Sequence, residues 1–344
     1  MKITEIRAGL KKNSLVFFTY KKLTDDLYRS GYADYILKKQ VKSKEIIREE
    51  LGLMEEYWRC DPMAYFRYRL YEKKLSREEL LDYIPPYYFY NYYVPSIYSE
   101  QKIRDAASKI LMNDYLTSRQ VNVPVLVAIV TAGKILSAGK QTGYNGLIRK
   151  LRKSDSAVFF MKPEIGRGGK GIFRIEKIGM EFFINDEIMS HEYFMKLTVK
   201  QNYIIQEGVI QRSDLMKIYP FSVNTIRILT QNFDNNPVIS AAVFRVGRRG
   251  TFVDNASSGG ISMNVDLETG KIASHAMDIE NNIKFERHPD TGFSFEGFAF
   301  AGWQEICREI LCFASKTPEF PEIGWDIAIT QDGIKAIEIN LNYG

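Results

Sequence analysis

The sequence predicts a mixed α/β or α+β fold, and three observations carry that expectation. Apolar residues recur at helical spacing between residues 20 and 82, short apolar runs bounded by glycine, proline or polar residues fill most of the remainder, and one clear helix interrupts those runs near the C-terminus. With 344 residues, 45% hydrophobic and 26% charged, the chain can bury a sizeable core in about two domains.

The opening stretch MKITEIRAGLKKNSLVFFTYKK carries only the short apolar patch Leu15 to Phe18, without the length or cleavage pattern of a signal peptide. Residues 20 to 82 are rich in Lys, Glu, Leu and Tyr. The helical spacing of apolar residues such as Ile46, Leu51, Met54 and Tyr57 predicts several short helices here. In YIPPYYFYNYYVPSIY, Tyr83 to Tyr98, three prolines argue against a long helix, which predicts an ordered linker. Its tyrosines read more readily as packing between domains than as a stacking surface for sugar. After Lys102 come a helix, the strand VPVLVAIV, a helical KQTGYNGLIRKLRK and the strand AVFFMKP. YIIQEGVI, TIRILT, VISAAVFRV, GISMNVD, DIAIT and KAIEIN read as further strands, and Trp303 to Phe313 as a helix. No internal repeat or heptad pattern is present.

No apolar run approaches the roughly 20 residues needed to cross a bilayer. Pro124 to Val130 is only strand-length. The three cysteines, Cys60, Cys307 and Cys312, have neither paired nor metal-ligand spacing, which fits a cytoplasmic protein. A net charge of +5, dispersed along the chain, does not indicate a nucleic-acid partner. Part of it suits a polyphosphate or an acidic substrate.

The strongest local signal is FFMKPEIGRGGKGIFRI, in which a strand delivers Lys162, a loop carries Gly166, Arg167, Gly168, Gly169 and Gly171, and a second strand leaves. Glycines allow backbone N–H groups to approach phosphate oxygens closely, and a lysine supplies a point charge to them. No Gly-Lys-Ser/Thr opens a helix, so this is a phosphate-covering hairpin and not a Walker loop. Near the end, GWDIAITQDGIKAIEIN reads as two antiparallel strands joined by a Gln-Asp-Gly turn. Glu338 and Asn340, two apart, share a face, and Asp326 lies on the paired strand, so three hard oxygen ligands can converge on Mg²⁺. Arg227 and Arg245 sit on neighbouring predicted strands, where guanidinium groups can hold carboxylates or phosphates in fixed geometry.

This ordered set, the lysine hairpin, IIQEGVI, NTIRILT, Asn255 near SSGG, and Asp326 with Glu338-Ile-Asn340, resembles the ATP-grasp superfamily. It is especially similar to the sugar-transfer-associated ATP-grasp branch, and more distantly to the ligase that adds glutamate to a ribosomal protein. The likeness covers about residues 106 to 344. It implies a helical, Tyr-rich region at 1–105 followed by an ATP-grasp fold at 106–344. That fold would have two α+β subdomains clasping ATP, about 106–200 with the hairpin and 201–344 with the metal site.

Position by position, the resemblance implies that Lys162 and the loop Gly166 to Gly171 hold the ATP phosphates. Lys109 would be a second phosphate lysine, although Ser108 stands where related ligases have aspartate. Gln206, Glu207 and Val209 would form the adenine hinge and Asp214 would meet the ribose. Asp326, Glu338 and Asn340 would bind Mg²⁺, while Arg227 and Arg245 steady the transferred phosphoryl group and the substrate carboxylate. Asn224, Asn255, Ser257, Ser258, Gly259 and His288 would face the acceptor.

The activity implied is that of a Mg²⁺- and ATP-dependent carboxylate–amine ligase acting through an acyl phosphate. It would join an amino acid or amine to a sugar or uronic acid in capsule or O-antigen assembly. A kinase acting on a sugar or glycan hydroxyl and a non-catalytic glycan-binding protein are the alternatives. Partners would be small molecules or glycans, and peripheral membrane contact is compatible with the sequence.

Overall fold

The computed structural model describes residues 42–60, 62, 64–166, 168–281 and 283–343, so the first 41 positions and Arg167 lie outside the described residues. The chain divides into two compact units, one ending at Ser96 and the other running from Ile97 to Tyr343.

In the first unit, helix α1 (Lys44–Trp58) starts at Ser43, whose hydroxyl accepts from the Ile46 N–H, and stops where Arg59 turns left-handed at φ 54°. Its inward stripe is Ile47, Leu51, Met54 and Trp58, packed on Tyr65, Leu70, Tyr71 and Leu80. Leu51 and Met54 therefore pack as their spacing predicts. Ile46 is 44% and Tyr57 59% exposed, each one residue short of the stripe that packs.

The expected linker is helical as well: Pro86–Tyr88, a π-type turn Phe89–Tyr93 and Val94–Ile97 follow one another. Pro86 occupies the first helical turn, where a missing N–H costs nothing, and the widened turn lets the Val94 N–H bond to the Phe89 carbonyl just before Pro95 interrupts the ladder.

The second unit opens with helices α2 (Glu100–Ala107) and α3 (Lys109–Ser118), capped by Ser99 and Ser108. Its first sheet is built from β1 (Leu126–Thr131), β2 (Lys134–Ser137), β3 (Lys140–Thr142), β4 (Val158–Pro163), β5 (Phe173–Ile178), β6 (Glu181–Ile184), β7 (Glu187–Ile188) and β8 (Tyr203–Glu207). They lie in the order β3-β2-β1-β8-β4-β5-β6-β7. Helices α4 (Tyr144–Lys153) and α5 (His191–Thr198) cover it, inserting Leu147, Leu151 and Phe194 into a core with Val130, Phe159, Ile175 and Ile205. The expected helix at KQTGYNGLIRKLRK is shorter than its sequence suggests. Lys140–Thr142 pairs with β2 as a strand, and Gly143 separates it from α4.

The second sheet comprises β9 (Ile226–Phe233), β10 (Asn236–Val246), β11 (Ile261–Asn264), β12 (Ala276–Asp278), β13 (Ile283–Phe285), β14 (Glu322–Thr330) and β15 (Gly333–Asn340). Its order is β13-β12-β11-β10-β9-β14-β15, with antiparallel pairing throughout. Helix α6 (Trp303–Ser315) buries Trp303, Ile306, Ile310 and Phe313, packing against β9, β10 and β15. The strand β14 is buried along nearly its whole length, Glu322 to Ile329. A register shift follows the Asp326–Glu338 pair, so that Ile327 opposes Ala336. The bulge brings Ile337 and Glu338 both to one cavity, which strict alternation would forbid. Among the described residues no helix is long and apolar enough to cross a membrane.

Candidate active site

Both sheets of the second unit contribute to a cavity whose lining includes Lys109, Lys162, Glu207, Val209, Arg245, Asp254, Asn255, Asp326 and Glu338. On the first sheet, β4 carries Lys162, whose ammonium donates to Gln206 Oε1 at 3.1 Å. Gln206 is fixed in turn by Nε2 donating to Asn113 Oδ1 at 3.0 Å. Desolvation pulls Lys162 down to about 8, with Glu338 opposing and Lys109 reinforcing the shift.

Lys109 is the first residue of α3, and Ser108, its cap, ties the helix to the loop by donating to Glu164 Oε1 at 2.7 Å. The other oxygen of Glu164 accepts from Asn202 at 2.8 Å. The Lys109 ammonium donates to the Gly166 carbonyl at 2.9 Å and lies 3.3 Å from Glu338. It therefore joins the Gly-rich loop to β15.

That loop uses glycine where the backbone demands it. Gly168, Gly169 and Gly171 all have positive φ, and a Cβ on Gly169 would lie 3.1 Å from two carbons of Val253. Ser258 Oγ donates to the Gly168 carbonyl at 2.9 Å, and a Cβ on Gly168 would strike the Ser257 hydroxyl. The Gly259 carbonyl accepts from Arg248, which is itself buried in an ion pair with Asp278.

Across the second sheet, Arg227, Asp326 and Glu338 stand side by side on β9, β14 and β15. Arg227 donates to both oxygens of Asp326, and Arg245 reaches Asp326 Oδ2 at 3.0 Å. Asn340 donates to the same oxygen at 3.4 Å. Burial alone would raise the Asp326 pKa; Arg245 and Arg227 overcome it and hold the carboxyl down to about 2. Asp326 and Glu338 are register partners with the Asn340 side chain beside them, and their carboxylates are the hard oxygen donors that fit Mg²⁺. Among the described residues no group of three or more His, Cys, Asp or Glu is gathered for a metal.

Of the expected site residues, Arg227, Asn340, Gly171, Gln206, Ser257, Ser258 and Gly259 stand outside the cavity lining, and Asp214, Asn224 and His288 are held outside it in bond networks of their own. Asp214 is closed by Arg212 in a two-pronged ion pair of 2.8 and 2.9 Å. Asn224 is fully buried, its amide donating to the carbonyls of Leu215 and Tyr219. His288 is also buried, with Nε2 on the Gly247 carbonyl at 2.8 Å and Nδ1 accepting from the Asp290 and Thr291 N–H groups. Those partners fix the neutral Nε2–H tautomer, and burial lowers the imidazole pKa. Such a ring locks the loop and leaves no nitrogen for an acceptor. Gln206 stands behind Lys162 as its hydrogen-bond partner. The sequence reasoning missed Thr225, Lys170 and Asp254, all of which line the cavity. The dipeptide Asp254-Asn255 was the available signal, a carboxylate beside a residue already singled out.

Residues 88–344 match the family described as sugar-transfer associated ATP-grasp. No curated protein matches by sequence. Among solved structures, a D-cycloserine synthetase, DcsG, is similar at 13% identity and a TM-score of 0.40, covering 71% of this chain and 65% of that one. An N5-carboxyaminoimidazole ribonucleotide synthetase in its ADP complex gives 8% identity, a TM-score of 0.40 and coverage of 69% and 45%. D-alanyl-alanine synthetase A from Vibrio cholerae gives 10%, 0.38, and 69% and 55%. The alignment thus spans less than two thirds of each of these neighbours. The family match extends over most of the chain and takes in both sheets and the cavity between them, and on it the chain belongs to the sugar-transfer associated ATP-grasp family, with an ATP-grasp α+β fold.

Proposed function

We propose that this protein is an ATP-dependent carboxylate–amine ligase that passes through an acyl phosphate, acting in the cytoplasm on an acidic or amino sugar and an amino acid or amine during glycan assembly. The observation that carries the reading is the pairing, in one cavity, of Lys162 from the first sheet, Lys109 from α3 and the glycine loop with Arg245, Asp326 and Glu338 from the second sheet, where Arg227 grips Asp326 from the neighbouring strand. The sugar class follows from the family's description alone.

In this reading Lys162, Lys109 and the loop from Gly166 to Gly171 hold the phosphates of ATP, and Glu207 and Val209 flank the base. Asp326, Glu338 and Asn340 would hold Mg²⁺, whose contribution when bound is to offset phosphate charge. Arg245 and Arg227 steady the anionic acyl phosphate, Asn255, Ser257 and Ser258 shape the acceptor side, and the loop excludes water. The test is phosphorus NMR of the protein with MgATP, pooled amino acids, and acidic and amino sugars, beside Glu338→Ala. ADP and phosphate appearing together only with a substrate pair, and not in the variant, supports the ligase; ADP with a new phosphoester makes the protein a kinase instead.

A further inference from the structure

We infer that Asp254 is the site that receives the primary ammonium group of the acceptor, binding it through the carboxylate oxygen Oδ1. The inference deepens the ligase reading and rests on it for the chemistry, though not for the binding.

The geometry comes from a one-way hydrogen-bond chain. Arg245 donates to Thr225 Oγ1 from Nε at 3.2 Å and from Nη2 at 2.7 Å. A guanidinium cannot accept, so the Thr225 hydroxyl proton points onward to Asp254 Oδ2, which also takes the Thr225 N–H at 2.9 Å. Oδ2 therefore accepts two hydrogen bonds and is fixed. Oδ1 receives no hydrogen bond among the described residues, although the side chain is only 8% exposed and lines the cavity. A buried carboxylate with one oxygen satisfied and the other open to a cavity needs a donor there.

Arg245 does not fill that role. Its nearest approach to Asp254 is 3.8 Å, also to Oδ2, and it is engaged by Asp326 at 3.0 Å. Arginine on one side and a half-free carboxylate on the other make the pocket complementary to an anionic group beside a cationic one. An acyl phosphate meeting an amine is such a pair. Burial raises the Asp254 pKa, which favours its taking a proton.

The ammonium gives one proton to Oδ1, and the amine lone pair attacks the acyl carbon. The C–N bond forms, the C–O bond to phosphate breaks, and phosphate departs with that electron pair, collecting the second N–H proton. Asp254 then returns its proton to water.

The probe is methylammonium chloride, titrated without nucleotide and followed by the Thr225 amide signal, which reports on the same carboxylate. Tetramethylammonium, which has no N–H, is the control cation. A saturable shift with methylammonium and none with tetramethylammonium is expected. Asp254→Asn keeps an acceptor for both Thr225 donors and should weaken methylammonium binding about tenfold, equivalent to ~1.4 kcal/mol. No saturable shift in the wild type, equal shifts with both cations, or unchanged affinity in Asp254→Asn overturns the inference. Because no ATP is present, a failed ligase reading leaves this result standing, and ligase turnover without methylammonium binding would sink this inference alone.

Discussion

Arg227 grips Asp326 with two parallel hydrogen bonds, Nε to Oδ1 at 2.8 Å and Nη2 to Oδ2 at 2.9 Å, between directly paired positions of β9 and β14. With Arg245 on the second oxygen as well, the Asp326 carboxyl is held down to about 2 against the ordinary 3.8. The depressed value means that the folded protein gains from the ionised form above pH 3.8 and loses that gain as pH falls through about 2. The shift corresponds to about 2 kcal/mol. Metal-free Asp326→Asn, which leaves two guanidiniums short of charge, should lose roughly 2–4 kcal/mol at neutral pH. Urea unfolding across pH should also show that its acid slope in this window has gone; an unchanged slope would place the depression elsewhere.

Lys162 presents the opposite balance. Its folded value, about 8, lies below the ordinary 10.5, so the unfolded chain binds more protons between these limits. Stability attributable to this group rises with pH from about 8 to 10.5 and is at its lowest below that window. Replacing the ammonium by an apolar side chain removes the cost of desolvating it. Lys162→Met should therefore be about 1–2 kcal/mol more stable than wild type at neutral pH. It should also bind ATP more weakly in equilibrium titration. A variant that loses stability would mean that Glu338 and Gln206 offset the desolvation completely.

Gly169 and Gly179 separate local strain from loop docking. Both have positive φ, 74° and 61°, but only Gly169 has a neighbour in reach, Val253 at 3.1 Å, while a Cβ on Gly179 meets nothing within 4 Å. Alanine at either should cost about 1 kcal/mol of backbone strain. Gly169→Ala should in addition push the loop from Val253 and weaken ATP binding several-fold, with Gly179→Ala unchanged in that assay. Equal ATP affinities would show that the loop docks without this contact.

The two hairpins were the most legible parts of the sequence because alternation, an intervening turn and strand length agree within one short segment. The β14–β15 register places Asp326 directly opposite Glu338, where the reading of GWDIAITQDGIKAIEIN put the pair on facing strands. Helix α1 was legible as a helix but not in its orientation, since Ile46 and Ile47 offer competing stripes and only the packing partners Tyr65 and Leu80 choose between them. Asp254 was hidden for a different reason. Its meaning depends on Thr225, 29 positions away, and on which of its two oxygens is left open, neither of which local pattern encodes. His288, Asn224 and Asp214 show the converse: polar residues near the motifs, each engaged in a local bond network that the sequence does not display.

His288 is held by stacking and by both ring nitrogens. The ring stacks on Tyr219 at 5.1 Å and 26° between planes, while its two nitrogens tie Gly247 to the Asp290–Thr291 turn. Alanine would leave the Gly247 carbonyl and two N–H groups without these partners and open a void beside Phe295. His288→Ala should lose about 2–4 kcal/mol of stability in urea unfolding. Below the melting range, calorimetric ATP affinity should stay within about twofold of wild type, because the ring touches none of the phosphate or metal residues. The neutral ring resists protonation, so stability contributed by His288 is lost as pH falls below the ordinary 6.5 and the unfolded imidazole takes up its proton first. An alanine variant with full stability but no acceptor-dependent turnover would instead return His288 to the substrate side.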